Sequence, residues 1–271
     1  MPKFIVGARL HDYGKGSPDE MFGRVAAVQL AYKKCVPSVR SYADVTDALV
    51  AETVAAEKAH SIQVAVLGTY VELAINDESR LKNAADFKSQ LAVCKALGAG
   101  CIGTETTAMS KQPAGTTREE AQELLCRSLA DILPAAEALG VTVAVEPVTY
   151  HSMNSAAATR HILDTMRSPN LKVIFDMSNL VDAGNVGAQD RIWNDVGELL
   201  GDQIVAVHFK GQAFAPDGGL LHTSLEDSLT DYAGAFAMLR QLPQDVLPVL
   251  REEAVPARAA SDIAFMRGFF S

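Results

Sequence analysis

Four residues able to ligate a metal recur at nearly even intervals in the second half of the chain. Glu146, Asp176, His208 and Glu252 are separated by 30, 32 and 44 residues. Three carboxylates and one imidazole suit one hard or borderline divalent ion, Mn²⁺ first, with Mg²⁺ and Co²⁺ as alternatives. An octahedral ion with four protein ligands keeps two positions open. A carbonyl oxygen and the neighbouring hydroxyl of a sugar could fill them. Lys210 lies two residues beyond His208, hence on the same strand face, and could bind a substrate oxygen. A Schiff base at Lys210 is the less economical reading, because a full carboxylate-and-imidazole set stands beside it. His11 and Glu105 could contact substrate or act as structural hydrogen-bonding groups. Singly, each acid reads more simply as a helix cap or half of an ion pair, and each His as a satisfied polar group. The repeated interval is what argues for one shared site.

The elements that must position these residues alternate along the chain. Eight short apolar runs span 4–9, 26–32, 62–70, 99–106, 141–147, 171–178, 204–211 and 246–254. Near-continuous apolar runs of this length suit parallel strands covered by helices. Between them, 43–59, 83–97, 117–139, 156–167, 189–200, 227–241 and 258–268 carry apolar residues at helical spacing. Ser17 with Glu20, and Thr117 with Glu120, have capping-box spacing, and Gly98 and Gly140 stand where helices should stop. Eight strand–helix units predict a (β/α)8 TIM barrel occupying 1–271 as a single domain, at about 34 residues per unit. Its first helix, 18–24, must be short. The competing doubly wound sheet would show a glycine-rich nucleotide turn after its first strand. The sequence there, HDYGKGSPDE, has neither that fingerprint nor a P-loop. The stretch 211–225 reads as a long loop without secondary structure, of the kind that often forms a lid, with His222 exposed in it.

In a barrel of this kind chemistry gathers at the C-terminal strand ends, where all of the candidates fall. Side chains alternate along a strand. Turning Glu146, Asp176 and His208 inward sends Val143, Val145, Val173, Phe175, Val205 and Val207 toward the helices. The last run offers Glu252 or Glu253. Glu253 inward would bury Arg251 one layer below a cation, which is costly. Glu252 inward instead sends Arg251 outward, where it is expected to snorkel to water.

Composition narrows the class. Hydrophobic residues make up 48% and charged residues 21%, as in a soluble globular protein. With 33 acidic and 24 basic residues the formal charge is −9, which disfavours nucleic acid and anionic membrane as partners. No apolar run approaches the roughly 18 residues of a membrane span, and MPKFIVGARLHDYG lacks signal-peptide character. Cys35, Cys94, Cys101 and Cys126 form no CxxC pair and read as buried thiols of a cytoplasmic protein.

The strings VAVEPVTYH (143–151), LKVIFDMSNL (171–180), VAVHFKG (205–211) and PVLREEA (248–254) resemble the sugar phosphate isomerase/epimerase family, built on the xylose isomerase-like TIM barrel. Its relatives include ketose 3-epimerases, hydroxypyruvate isomerase and inosose dehydratase. LHDYGKGSPDEMF and the GTET of the fourth run fit the same group. The resemblance implies metal ligation by Glu146, Asp176, His208 and Glu252, and proton transfer by Glu146 and Glu252 on opposite faces of the sugar, through a metal-stabilised enediolate. It places Asn179 at a substrate-contacting position where the family commonly has His. Gly211 stands where the family commonly has an acid. The expected function is a metal-dependent isomerase or epimerase of a small sugar or sugar derivative. The alternatives are a dehydratase of an inosose-like polyol and a sugar-binding barrel without turnover. The DNA-repair endonuclease branch needs more His ligands and a basic face than this chain offers. Barrels of this group commonly associate, so a homo-oligomer is compatible with the sequence.

Overall fold

Burial on both faces selects the strands. The computed structural model describes residues 1–22 and 26–270. Eight parallel strands are β1 (Lys3–Arg9), β2 (Ala27–Leu30), β3 (Gln63–Gly68), β4 (Cys101–Glu105), β5 (Val143–Glu146), β6 (Leu171–Asp176), β7 (Ile204–Phe209) and β10 (Val246–Arg251). They close into a barrel in the order β1-β10-β7-β6-β5-β4-β3-β2. Helices on the outside are α1 (Pro18–Met21), α2 (Tyr32–Cys35), α3 (Asp47–His60), α4 (Asp77–Ser89), α5 (Leu91–Leu97), α6 (Arg118–Leu139), α7 (Ala156–Met166), α8 (Gln189–Leu200), α9 (Tyr232–Leu239) and α10 (Ala259–Arg267). The expected (β/α)8 barrel is therefore present, with a first helix of one turn; the end of the 18–24 expectation falls outside the described residues. Both capping boxes form, and Gly98 and Gly140 close their helices in the left-handed conformation.

Several expectations need correction. The segment 83–97 is two helices broken at Gln90, and α3 starts four residues late behind the Thr46 cap. The stretch 211–225 is not structureless. It contains an antiparallel hairpin of β8 (Gly211–Phe214) and β9 (Leu220–Thr223), with His222 on its exposed part. Gly211 is required there. A Cβ at this position would lie 2.3 Å from the Ser224 carbonyl oxygen and 2.6 Å from that of Thr223. No side chain has room at this position.

Size segregates the two sides of the sheet. Small residues such as Ala27, Ala65, Ala144 and Ala206 fill the barrel interior with Ile174 and Leu250, while Val143, Val145, Phe175 and Val207 join the core beneath the helices. Val205 departs from its expected outward direction. The β6–β7 register shifts between Val173 and Ile174, pairing them with Ile204 and Ala206 and skipping Val205, which packs against the interior cluster. Arg251 does point away from the interior, but it does not reach water. It is 2% exposed, and its Nε lies 2.9 Å from Asp262 of α10, itself 1% exposed. The C-terminal helix covers this strand end, so an ion pair replaces the solvent the sequence had suggested.

Candidate metal centre

The barrel brings the four spaced residues to one point. Glu146 ends β5, Asp176 ends β6, His208 lies one residue before the end of β7, and Glu252 follows β10. One ligand atom from each lies within 4.8 Å of every other, and all four residues are buried. His208 Nδ1 is 3.1 Å from Glu146 Oε2 and 3.5 Å from Glu252 Oε1. Glu252, not Glu253, enters the cluster. Glu253 turns out of it through a left-handed backbone (φ 54°), a conformation costing roughly 1–2 kcal/mol in an L-residue.

Local structure fixes each carboxylate. Asp176 Oδ1 accepts the backbone N–H groups of Ser178 (2.7 Å) and Asn179 (3.0 Å), so the turn after β6 holds it. Asn179 in turn donates to Glu146 Oε1 at 2.6 Å. Phe209, beside His208, stacks on Tyr232 with centroids 4.3 Å apart, anchoring the strand on its helix side. The Tyr232 hydroxyl donates to the Lys210 carbonyl, and Lys210 Nζ stands 3.1 Å from Asp176 Oδ2.

Beyond the ion pairs to Lys210 and Glu146, some polar atoms in the cluster make no hydrogen bonds. Asp176 Oδ2 and both ring nitrogens of His208 are buried with no hydrogen bond among the described residues. Buried polar groups are ordinarily satisfied, and a divalent cation would satisfy these together with the two glutamates. The donor set therefore fits such an ion. Electrostatics agree. Burial, with the charges of Glu252 and Asp176, raises the Glu146 carboxyl above its usual range against the pull of His208. For Glu252 burial acts upward too, but His208, Arg9 and Lys210 outweigh it and hold the carboxyl low. Burial opposes charge on His208, yet Glu252, Glu146 and Asp176 raise it to about 9. The chain gathers more negative charge here than its own cations relieve at ease.

Glu105 lies in register with Glu146 on β4, and burial plus the Glu146 charge push its carboxyl up to about 7. The cleft over the cluster is lined by Glu105, Glu146, His208 and Glu252 together with Gln29 and Tyr70. His11 stands to one side, half-buried, its ring edge-on to Tyr70 at 5.6 Å. Sequence reasoning did not single out Gln29, Tyr70, His151 or Arg9. Gln29 could have been noticed as the one polar residue inside the apolar run AAVQLAY. His151, 5% exposed, places Nε2 3.9 Å from Glu105 Oε2. Arg9, 8% exposed, bridges Asp12 (2.8 Å), Glu253 (2.6 Å) and Glu252 (3.5 Å). Nothing in a strand-terminal Arg announces those contacts.

Comparison with known proteins places this architecture. No curated protein matches the sequence. Solved structures match over nearly the whole chain. IolI protein with a bound zinc atom is 15% identical with a TM-score of 0.76, covering 98% of this chain and 96% of its own. The 3-keto-D-glucoside 4-epimerase of E. coli is 15% identical with a TM-score of 0.70, covering 99% and 100%. D-Psicose 3-epimerase of Clostridium cellulolyticum H10, solved with D-tagatose, is 14% identical with a TM-score of 0.71, covering 98% and 99%. At such identities these likenesses establish the fold. The sequence model of the xylose isomerase-like TIM barrel matches residues 25–268, and the chain belongs to that family.

Proposed function

We propose that this protein is a divalent-metal-dependent isomerase or epimerase of a small sugar or sugar derivative, working by proton transfer next to a carbonyl. The observation that carries this reading is the buried convergence of Glu146, Asp176, His208 and Glu252 within 4.8 Å, with Asp176 Oδ2 and both His208 ring nitrogens making no hydrogen bond among the described residues. Those four residues would hold the ion, Mn²⁺ in the first instance. When bound, it supplies positive charge beside the oxygens that gain negative charge as the proton leaves carbon. Glu252, held ionised by its cationic neighbours, is suited to take the proton. Glu146, whose carboxyl is raised, is suited to return one. Lys210 and Asn179 fix the orientation of Asp176 and Glu146 and stand where sugar oxygens would meet them. Glu105 and His11 complete the substrate contacts. The fold is used as one catalytic domain, its substrate a small molecule rather than nucleic acid, in keeping with the charge of −9. The four free cysteines suit a cytoplasmic setting.

The test combines metal analysis with solvent exchange. The purified protein should take up about one equivalent of Mn²⁺, and ketoses incubated with it in D2O should gain deuterium next to the carbonyl. Glu146→Gln should lower exchange by about 10²–10⁴-fold. A protein that takes up no divalent ion under any loading refutes the reading. Exchange absent across a broad panel of ketoses would leave a sugar-binding barrel.

A further inference from the structure

A second cavity opens beside the candidate centre, and its walls carry the opposite charge. It measures about 410 Å³ and includes Lys15, Lys33, Lys34, Tyr42, Tyr70 and Gln90 in its lining. No Asp or Glu lines it, in a chain where acids outnumber bases by 33 to 24. None of the three lysines has a carboxylate within 4.0 Å among the described residues. Three exposed lysines around one cavity, with no acid in its lining, give it a net positive charge that favours an anion as occupant.

The arrangement is built. Lys33 and Lys34 sit on α2, and the loop carrying Lys15 is tied to that helix by the Gly16 N–H donating to the Cys35 carbonyl at 3.0 Å. Aromatic rings seat two of the charges. Lys33 Nζ lies 4.5 Å from the centre of the Tyr42 ring, and Lys34 Nζ lies 5.4 Å from that of Tyr70. The Tyr42 hydroxyl donates to the Thr69 carbonyl, pinning that wall to the end of β3.

The cavity adjoins the cleft over the carboxylate cluster across a shared wall. Gly68 and Tyr70 line both. Tyr70 adopts a left-handed backbone (φ 55°), one of four non-glycine residues to do so among those described. Strained backbone of this kind persists where the surroundings over-determine it, often at ligand sites. Two buried polar atoms at this junction have no hydrogen-bond partner: Oε1 of Gln29, in the cleft lining, and Nδ1 of His11, whose ring abuts Tyr70.

We infer that Lys15, Lys33 and Lys34 form a subsite for the anionic end of the substrate, a sugar acid or a sugar phosphate whose carbonyl end lies on the Glu146–Glu252 side of Tyr70. The placement of the carbonyl end rests on the proton-transfer reading; the anion preference does not. Lysines act as point charges toward either oxyanion, so the chemistry recognised is a terminal group carrying one or two negative charges.

The test measures binding without turnover, using ligands that lack a carbonyl. Calorimetry on the full, Mn²⁺-loaded chain would compare a hexitol, the same hexitol as its 6-phosphate, and the corresponding hexonate. At low salt, at least one anion should bind tenfold or more tightly than the hexitol. Which anion gains identifies the terminal group. The advantage should fall below threefold in K15Q/K33Q/K34Q and shrink between 50 and 500 mM NaCl, as for any exposed charge pair. The single variant Lys34→Gln should remove part of it and guards against misfolding of the triple. An advantage below threefold in the native protein, binding of neither anion, or an advantage that survives the triple substitution overturns the proposal. Failure of the proton-transfer reading looks different: no ketose exchanges hydrogen with solvent, while Glu146→Gln and native protein both keep the anion preference.

Discussion

The two halves of the barrel mouth are built from different materials. The half formed by β5, β6, β7 and β10 ends in Glu146, Asp176, His208 and Glu252, each 3% exposed or less. The half formed by β1 to β4 ends in Gln29, Tyr70, Glu105 and the exposed Lys15, Lys33 and Lys34. One half has converging charges with unmet ligand atoms; the other has adaptable polar and aromatic groups around open space. The difference teaches where the constraints lie. Four carboxylates and imidazoles meeting within 4.8 Å tolerate little displacement, so strand ends carry them. Groups that hold the far end of a small molecule can sit on loops and short helices.

The largest effect should come from the ion ligands at the ends of β5, β6, β7 and β10. His208→Ala and Asp176→Asn should each lower affinity for Mn²⁺ by more than about 100-fold, since even groups that merely orient ligands are worth 10–100-fold. Gln29→Ala should leave that affinity within about threefold of native. Calorimetric titration of the three variants decides it. If Gln29→Ala weakens the ion as much as His208→Ala, the division between the halves is wrong.

Arg9 joins the halves, because it leaves β1 and contacts both Glu252 and Glu253 across the seam with β10. Arg9→Met would leave Asp12 without its buried cation and remove one of the cations beside Glu252. Breaking such a pair costs about 3–5 kcal/mol, measurable by urea unfolding. The sign on pH follows from the charge lost. Arg9 helps to hold the Glu252 carboxyl low, so its removal should move the acid limb of the exchange–pH profile to higher pH. An unmoved limb would mean that Glu252 is not the group that titrates there.

Removing the ion tests the charge imbalance directly. In metal-free protein the His208 imidazole, against the burial that opposes its charge, is raised by Glu252, Glu146 and Asp176 to about 9, from about 6.5 in the unfolded chain. A raised folded pKa contributes stability that is complete below pH 6.5 and is lost as pH climbs through 9. The loss should be on the order of 3 kcal/mol, with Glu146, also raised, acting in the same sense. Ion binding requires neutral His208, so Mg²⁺ affinity should climb by up to about tenfold per pH unit and level off near pH 9. Urea midpoints after EDTA treatment at pH 6.5 and 9 give the first value, and titrations across the same range give the second. Equal midpoints would show that His208 is not cationic in the metal-free protein.

What could be read from the sequence follows the same division. The spaced ligands were legible because a (β/α)8 barrel repeats one strand end per unit, so evenly spaced acids become neighbours. The strand directions were legible from alternation, except at Val205, where a register shift with no sequence signal intervenes. The hairpin at 211–223 was not legible, since its strands are short and its key residue, Gly211, reads as loop until the Ser224 carbonyl is seen against it. The roles of Arg9 and Arg251 were hidden for a different reason. Their partners come from remote chain: Arg9 meets Glu252 and Glu253 through barrel closure, and Arg251 meets Asp262 of a covering helix. Periodicity describes an element's own faces and says nothing of which distant residue will neutralise a charge.

The smallest expected effect is the most direct check on the lysine side. Lys34 is exposed, has no carboxylate partner among the described residues, and meets the Tyr70 ring at 5.4 Å. Exposed substitutions away from special features change stability by about 0.5 kcal/mol or less, and an exposed cation–π contact adds about 0.5–1 kcal/mol. Lys34→Gln should therefore lower stability by no more than about 1.5 kcal/mol in urea, a fraction of the Arg9→Met loss. Its ammonium group is then free to serve a ligand rather than the fold. A loss approaching that of Arg9→Met would make Lys34 a structural cation, and the two halves would differ in exposure alone, not in task.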